Sequence, residues 1–442
     1  VGDIIAKRIG KKLLLECLKV IHGETLLRRK LILSSTVLSV LLISSLVVLA
    51  EADSVMWYET YGGTRNDVAS SLVETSDGGY AIIGYTESFG AIEYDFLLVK
   101  TDGYGHIEWN QTYGGAEIDF GLSIAETSDG GYAIAGSTSS FGIDDSDFWL
   151  IKTDGTGNVE WNKTYGGTGW EYAYSLVATS DGGYAIAGGS LLVKTDELGN
   201  VEWNQTFPGS THSLVATSDG GYALVGDIII IPEDCMDPRW IPYDCWLAKT
   251  DASGNVEWNQ TYAEADDDRA WSLVETSDGG YAIGGSTTSF GAGGYDFWLI
   301  KTDSYGNVEW NQTYGGANED FAHCLVKASD GGYALTGYTK SFGAGDRDFW
   351  LVKTDGLGSI EWNQTYGGTA EDMANSMIAT SDGGYAIAGG TYSFGVEGGN
   401  FWLLKSDESG VIPECSSWIA SSLLFVVIIA LVNKKRLLHP RS

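Results

Sequence analysis

The sequence predicts an all-β chain, a seven-bladed β-propeller of four-stranded antiparallel blades closed by its own N-terminal strand. Three observations predict it. Ser-Asp-Gly-Gly-Tyr is written seven times, its Tyr at 80, 132, 184, 222, 281, 333 and 385. Each repeat divides into four short runs rich in Val, Ile, Tyr, Trp and Thr, as strands are. The last repeat lacks a fourth run, while an orphan fourth run, "VMWYETYGG" (55–63), precedes the first. Pairing the two closes a ring and removes an open sheet edge.

The unit around Thr127 shows each element in order. "FGLSIAE" (120–126) is the first strand, and Ser128-Asp129-Gly130-Gly131 the turn. "YAIAGST" (132–138) is the second, and a longer loop leads to "DFWLIKT" (147–153), the third. Asp154-Gly155-Thr156-Gly157 turns the chain into "NVEWNKTY" (158–165), the fourth. Asp-Gly and Gly-Gly supply the positive φ that tight hairpins need, consistent with 60 Gly in 442 residues. In the third strand Phe148 and Leu150 face one way and Trp149 and Ile151 the other, so the sheet is covered on both sides. The Trp of the fourth strands is read as packing between blades. Two units break the pattern. The third reads "GGSLLVKTD", without the "TSSFG…DFW" segment, and the fourth carries an insertion, "CMDPRWIPYDC".

The ends differ from the repeats. Residues 1–30 are basic, and 31–50 form an uncharged apolar run that reads as a signal peptide or signal anchor (31–52). A short linker (411–417), an apolar anchor (418–433) and a basic tail (434–442) follow the repeats. Both apolar segments are expected to be membrane helices. The basic flanks belong in the cytoplasm and residues 53–410 form an extracellular ectodomain at the cell membrane. The chain has 26 Lys and Arg against 59 Asp and Glu, a formal charge of −33. Much of the positive charge lies at the ends, so the repeats are strongly acidic, which excludes nucleic acid as a partner.

The repeat unit resembles a family of exported bacterial and archaeal repeat proteins. The clearest copies are "SDGGYAIGGSTTSFGAGGYDFWLIKTDSYGNVEWNQTYGG" (277–316) and "SDGGYALTGYTKSFGAGDRDFWLVKTDGLGSIEWNQTYGG" (329–368). The resemblance covers roughly residues 53–410 and implies a propeller-like surface protein without an established activity. Pro413-Glu414-Cys415, the apolar segment and the basic end resemble archaeal sorting tails that begin Pro-Glu-Phe, with Cys in place of Phe.

No nucleophile–base order, phosphate-cradling loop or Cys/His metal spacing is present, so no cofactor is expected. The seven turn Asp are read as builders that bond their own turn backbone. Calcium remains an alternative, with Glu264, Asp266, Asp267 and Asp268 the densest acidic loop. That loop could also hold paired carboxylates for glycoside hydrolysis. The five His fall at unrelated repeat positions. Function is expected where the repeat fails, in units three and four, where Arg239, Trp240, Tyr243 and Trp246 suit sugar or protein contacts. Cys235 and Cys245 flank the insertion and are expected to form a disulfide. Asn110, Asn162, Asn204, Asn259, Asn311 and Asn363 head Asn-x-Thr sequences, acceptors for N-glycosylation in an exported chain. The expected function is noncatalytic binding, adhesion or envelope scaffolding at the cell surface, with a glycan or surface-protein ligand. A polysaccharide-acting enzyme and a calcium-stabilised structural protein are the alternatives.

Overall fold

In the computed structural model the described residues are 57–410, less 91–92, 144, 168, 230–241 and 263–265. Both apolar end segments lie outside them. Among the described residues no helix is long and apolar enough to cross a membrane. The fold is an all-β propeller. Its strands follow the expected order in each regular unit, as in Asp268–Glu275, Tyr281–Thr287, Asp296–Thr302 and Val308–Tyr314, hydrogen-bonded in that sequence. Trp57–Tyr61 pairs antiparallel with Asn400–Ser406 and closes the ring.

The first strand of each unit touches the first strands of both neighbouring units, so these strands line the axis. The second and third strands are buried along nearly their whole length, and the fourth, as in Ile107–Tyr113, is exposed. Inner, middle and outer layers follow directly from the apolar content of each run.

The blade count departs from expectation: six hydrogen-bonded sheets form, not seven. Five are four-stranded, and the third and fourth units share one six-stranded sheet. The cause is local. Without its long loop, the third unit carries its second- and third-strand residues in a single strand, Tyr184–Thr195, bending at Gly189 with φ of +49°. The link from the third unit to the fourth has lost its Gly-Gly, so an outer and an inner strand run on as Val201–Ala216. Gly189 pairs with Thr211, and Ser210 with Asp227, which ties the two units together. Side-chain packing, unlike hydrogen bonding, follows the repeat, with seven hydrophobic clusters among the described residues, each drawn from two neighbouring units.

Repeated side chains lock each unit to the next. The outer-strand Trp meets the Ser-Asp-Gly-Gly-Tyr tyrosine of the following unit edge to face in all seven units, with centroids 5.7–6.1 Å apart. The Tyr ending the outer strand donates to a turn carbonyl of the next unit, as Tyr314 does to Gly358 O at 2.7 Å. Phe207 holds this position in the third unit and has no hydroxyl. The turn Asp accepts from its own turn, with Asp278 Oδ1 bound to Thr276 and to Gly280 N at 3.1 Å. It also faces a buried lysine. Lys301 Nζ, on the third strand, lies 2.9 Å from Asp278, 2.8 Å from Glu309 and 2.8 Å from Thr302 O, so three donors meet three acceptors. Burial alone would push the lysine pKa down, but Asp278 and Glu309 outweigh it and the net direction is upward. The Lys–Asp pair recurs in all seven units. The turn Asp therefore builds.

Candidate functional site: an aromatic arc on the inner strands

Six of the seven inner strands carry a one-residue register shift against their partner, as between Ala270 and Ser272 or Ala322 and Cys324. Such a bulge leaves its extra residue out of the ladder and re-aims its side chain. The bulged residues are Ser70, Leu122, His212, Trp271, His323 and Asn375. Tyr174, just ahead of Ser175–Ala178, occupies the same place in the third unit. The backbone bulge recurs in six units, and the side chain it carries differs from unit to unit.

Flanking residues are constant in role. The next residue, usually Ser, bonds the neighbouring inner strand: Ser123 Oγ accepts from Leu176 N at 3.1 Å and Ser175 Oγ from Leu214 N at 3.0 Å. Cys324 takes this position in the sixth unit, its thiol 3.5 Å from Met377 O. Three bulged side chains reach the next unit as well. His212 Nδ1 lies 3.0 Å from Ala270 O, His323 Nδ1 lies 2.8 Å from Ala374 O, and Asn375 Nδ2 donates to Ala69 O at 2.9 Å. His212 and His323 thus share one repeat position, a correction to their reading as scattered.

From the third unit to the sixth these side chains join into an unbroken aromatic arc. Trp170, Tyr172 and Tyr174 stack in succession, at 6.5 and 6.0 Å. Tyr174 meets His212 edge-on at 5.5 Å, and His212 lies flat on Trp271 at 4.2 Å. Trp271 contacts Phe321 at 5.7 Å and His323 at 5.9 Å. Phe321 meets Tyr295 at 5.1 Å and stacks on Tyr338 at 5.8 Å. Two arginines stand beside it, Arg269 over the Tyr243 ring at 4.4 Å and Arg347 over Tyr338 at 4.7 Å. Among the described residues the chain has just one other arginine, Arg65.

Charge at the arc is arranged in pairs. Asp267 accepts from Tyr243 N at 2.8 Å, Tyr295 Oη at 2.6 Å and Arg269 at 3.2 Å. Burial alone would raise its pKa, but these donors hold it below the ordinary carboxylate value. Asp227 is the opposite case. It stands near the end of the second strand where other units have Ser, Tyr or Gly, and accepts from Ala270 N at 3.1 Å, as Ser286 does from Ala322 N at 2.9 Å. Burial pushes its pKa up to about 7, against the pull of that hydrogen bond and of Arg269. His212, buried beside it, is pushed down to about 4, mainly by burial. The 3.7 Å contact between His212 Nδ1 and Asp227 therefore joins two groups that are both largely neutral near pH 6, and the arrangement is not an ion pair.

The residues expected to form a site are only partly brought together. Arg239 and Trp240 lie outside the described residues. Tyr243 belongs to the arc through Arg269. Trp246 does not: it is 1% exposed and packs with Phe207 in the core between units three and four. In the acidic loop, Glu264 lies outside the described residues. Asp266 is on the surface, Asp267 is bound as above, and Asp268 is fully buried, bonded to Thr287 and to Ser289 Oγ at 2.8 Å. Asp268 is thus the fifth unit's copy of a repeated structural Asp, like Asp320 and Asp372. No group of three or more His, Cys, Asp or Glu gathers to hold a metal among the described residues. Cys245 has no disulfide partner among the described residues; it lies in the core between units four and five, where other units have Phe, and burial raises its pKa. Cys235, its expected partner, lies outside the described residues. The six Asn of the Asn-x-Thr sequences all sit exposed on outer strands. Three of them, Asn162, Asn311 and Asn363, accept from a neighbouring indole at 3.3, 3.3 and 3.2 Å.

No family model and no curated protein matches the chain. Solved structures do. The Pan2 WD40 domain of Neurospora crassa is 11% identical with a TM-score of 0.46, over 78% of this chain and 91% of its own. Sqt1 from Chaetomium thermophilum is 12% identical with a TM-score of 0.45, over 76% and 82%. BamB from Moraxella catarrhalis is 12% identical with a TM-score of 0.43, over 80% and 100%. At these identities the likeness is one of fold alone.

Proposed function

We propose that this chain is a noncatalytic binding propeller at the cell surface, held to the membrane by its apolar end segments, that takes its ligand on the aromatic arc. One observation carries the reading. The frame is copied unit after unit, while along the arc the bulged position changes from unit to unit and large aromatic side chains accumulate beside it. Aromatic rings with polar edges are the common currency of recognition surfaces. In this reading the seven units remain the working divisions of the ring, as the seven interunit clusters support, and the shared sheet of units three and four stiffens one end of the arc. The outer-strand Asn residues, outside the arc, carry glycans, and Cys235 pairs with Cys245.

The test is direct. The full chain in detergent is applied to glycan and protein arrays. Retained ligand, no released product, and loss of retention with Trp271→Ala and Tyr338→Ala are expected. Binding indifferent to both substitutions contradicts the reading. A second reading, action on polysaccharide, draws on Asp227 and Asp267, two carboxyls whose pKa values are pushed apart. It requires reducing ends to be released by the wild type and not by Asp227→Asn. Calcium stabilisation is the third, and it requires chelator to lower the melting temperature.

A further inference from the structure

Resting on the binding reading above, we infer that the ligand of the arc is an uncharged oligosaccharide several sugars long. The argument starts from charge. The chain carries −33, so a polyanion is repelled at a distance and needs a local excess of positive charge to bind. The arc has no such excess. Arg269 is matched by Asp267 at 3.2 Å, Arg347 by Glu371 at 3.7 Å and Lys340 by Glu319 at 2.9 Å. A cationic ligand is attracted to the whole acidic surface, but the arc gives it no special place. Two of its ring faces, Tyr243 and Tyr338, are already covered by the chain's own guanidinium groups.

What the arc does offer is neutral. Trp170 is 66% exposed and Tyr174 38%, and they present ring surface to the apolar C–H face of a pyranose. Next to the rings stand guanidinium–carboxylate pairs, which place donors and acceptors side by side as adjacent sugar hydroxyls do. The arc passes from the third unit to the sixth with neighbouring rings never more than 6.5 Å apart. A row of that kind fits a chain of sugars better than a single one.

The experiment presents the full chain, in detergent, with cellohexaose, chitohexaose and mannohexaose, with oligogalacturonate and hyaluronate oligosaccharides, and with oligolysine. Variants Trp170→Ala, Phe321→Ala and Arg347→Ala are run beside it, each checked by thermal melting. The exposed Trp170 keeps at least one variant free of any folding defect. The expected result is retention of a neutral hexasaccharide, little affected by salt, and weakened about tenfold or more by Trp170→Ala at an unchanged melting temperature. Retention of only the acidic or only the basic probes, lost with the same variants, overturns the uncharged ligand and leaves the arc as a binding site. Failure of every saccharide overturns it too. Neutral binding that all three variants leave intact overturns both the ligand class and the arc.

Discussion

Lys301, Asp278 and Glu309 lie in the same fifth unit as Arg269 and Trp271, and the two groups obey different rules. The first group repeats. Every unit places a lysine against its turn carboxylate, and every outer-strand Trp meets the next unit's Tyr. The second group does not repeat, although its backbone does. The bulge that carries Trp271 carries Ser70 in the first unit and Asn375 in the seventh. Interunit contacts have to be solved the same way at each joint for the ring to close. A bulged inner-strand side chain is under no such requirement, because its neighbours on either side already hold the joint. The frame therefore sets stability, and the arc is the region proposed to set what is bound.

Substitutions in the frame should move stability alone. Trp258→Ala removes an indole held between Tyr281 and the Gly306 turn. It is expected to lower unfolding free energy by about 3 kcal/mol in urea titrations, with arc affinity unchanged in the folded fraction. An equal loss of affinity in that fraction would blur the distinction.

The His212–Asp227 contact sharpens the comparison from the arc side. The folded His212 pKa is lowered from 6.5 to about 4, so its contribution is present above the unfolded value and is lost as pH falls through about 4. The folded Asp227 pKa is raised from 3.8 to about 7, so its contribution is full below the unfolded value and is lost as pH rises through about 7. Between these limits the unfolded chain keeps a proton on His212 and the folded chain keeps one on Asp227, and the two slopes cancel. Asp227→Asn removes one of them. The variant should lose about 2–3 kcal/mol relative to wild type on going from neutral pH to the acid end of that window. Parallel stability–pH curves for the two proteins would refute the cancellation.

The smallest effect belongs to the joints. Asp296 Oδ1 is buried without a hydrogen-bond partner among the described residues. It faces Asp320 across Gly315, where an added Cβ would stand 1.7 Å from Asp296 Oδ1 and 2.9 Å from Asp320 Oδ2. Burial raises the Asp296 pKa first, and Asp320 raises it further. Its contribution is therefore greatest below the ordinary carboxylate range and is lost as pH rises through the raised value. At the ring-closing joint Asn400 occupies this place, opposite Asp67. Asp296→Asn should gain about 1 kcal/mol at neutral pH and flatten that part of the pH dependence. A loss of stability there would mean that the charge, and not only the shape, of Asp296 is needed.

The repeat alone makes the frame legible. Strand order, the turn role of Asp278 and its six counterparts, and the pairing of Trp57–Tyr61 with Asn400–Ser406 all follow from spacing and turn chemistry. The six-sheet count did not, because it depends on whether the bend at Gly189 breaks a ladder, and the letters "GGSLL" do not say. The arc was half visible. Looking where the repeat length fails leads to Tyr243 but also to Trp246, which is core. The stronger signal lies in one aligned position, ten residues ahead of each Ser-Asp-Gly-Gly-Tyr tyrosine, which reads Ser70, Leu122, Tyr174, His212, Trp271, His323 and Asn375. Variation within a constant frame marks the site more closely than insertions do.

The most direct measurement sets the two regions against each other. Thermal melting and ligand retention are recorded on the same full-length preparations of wild type, Trp258→Ala and Trp170→Ala. The account predicts a crossed result: Trp258→Ala melts lower and binds normally when folded, while Trp170→Ala, at an exposed ring of the arc, binds about tenfold more weakly at a nearly unchanged melting temperature. Stability and binding falling together in both variants would contradict the division between frame and arc.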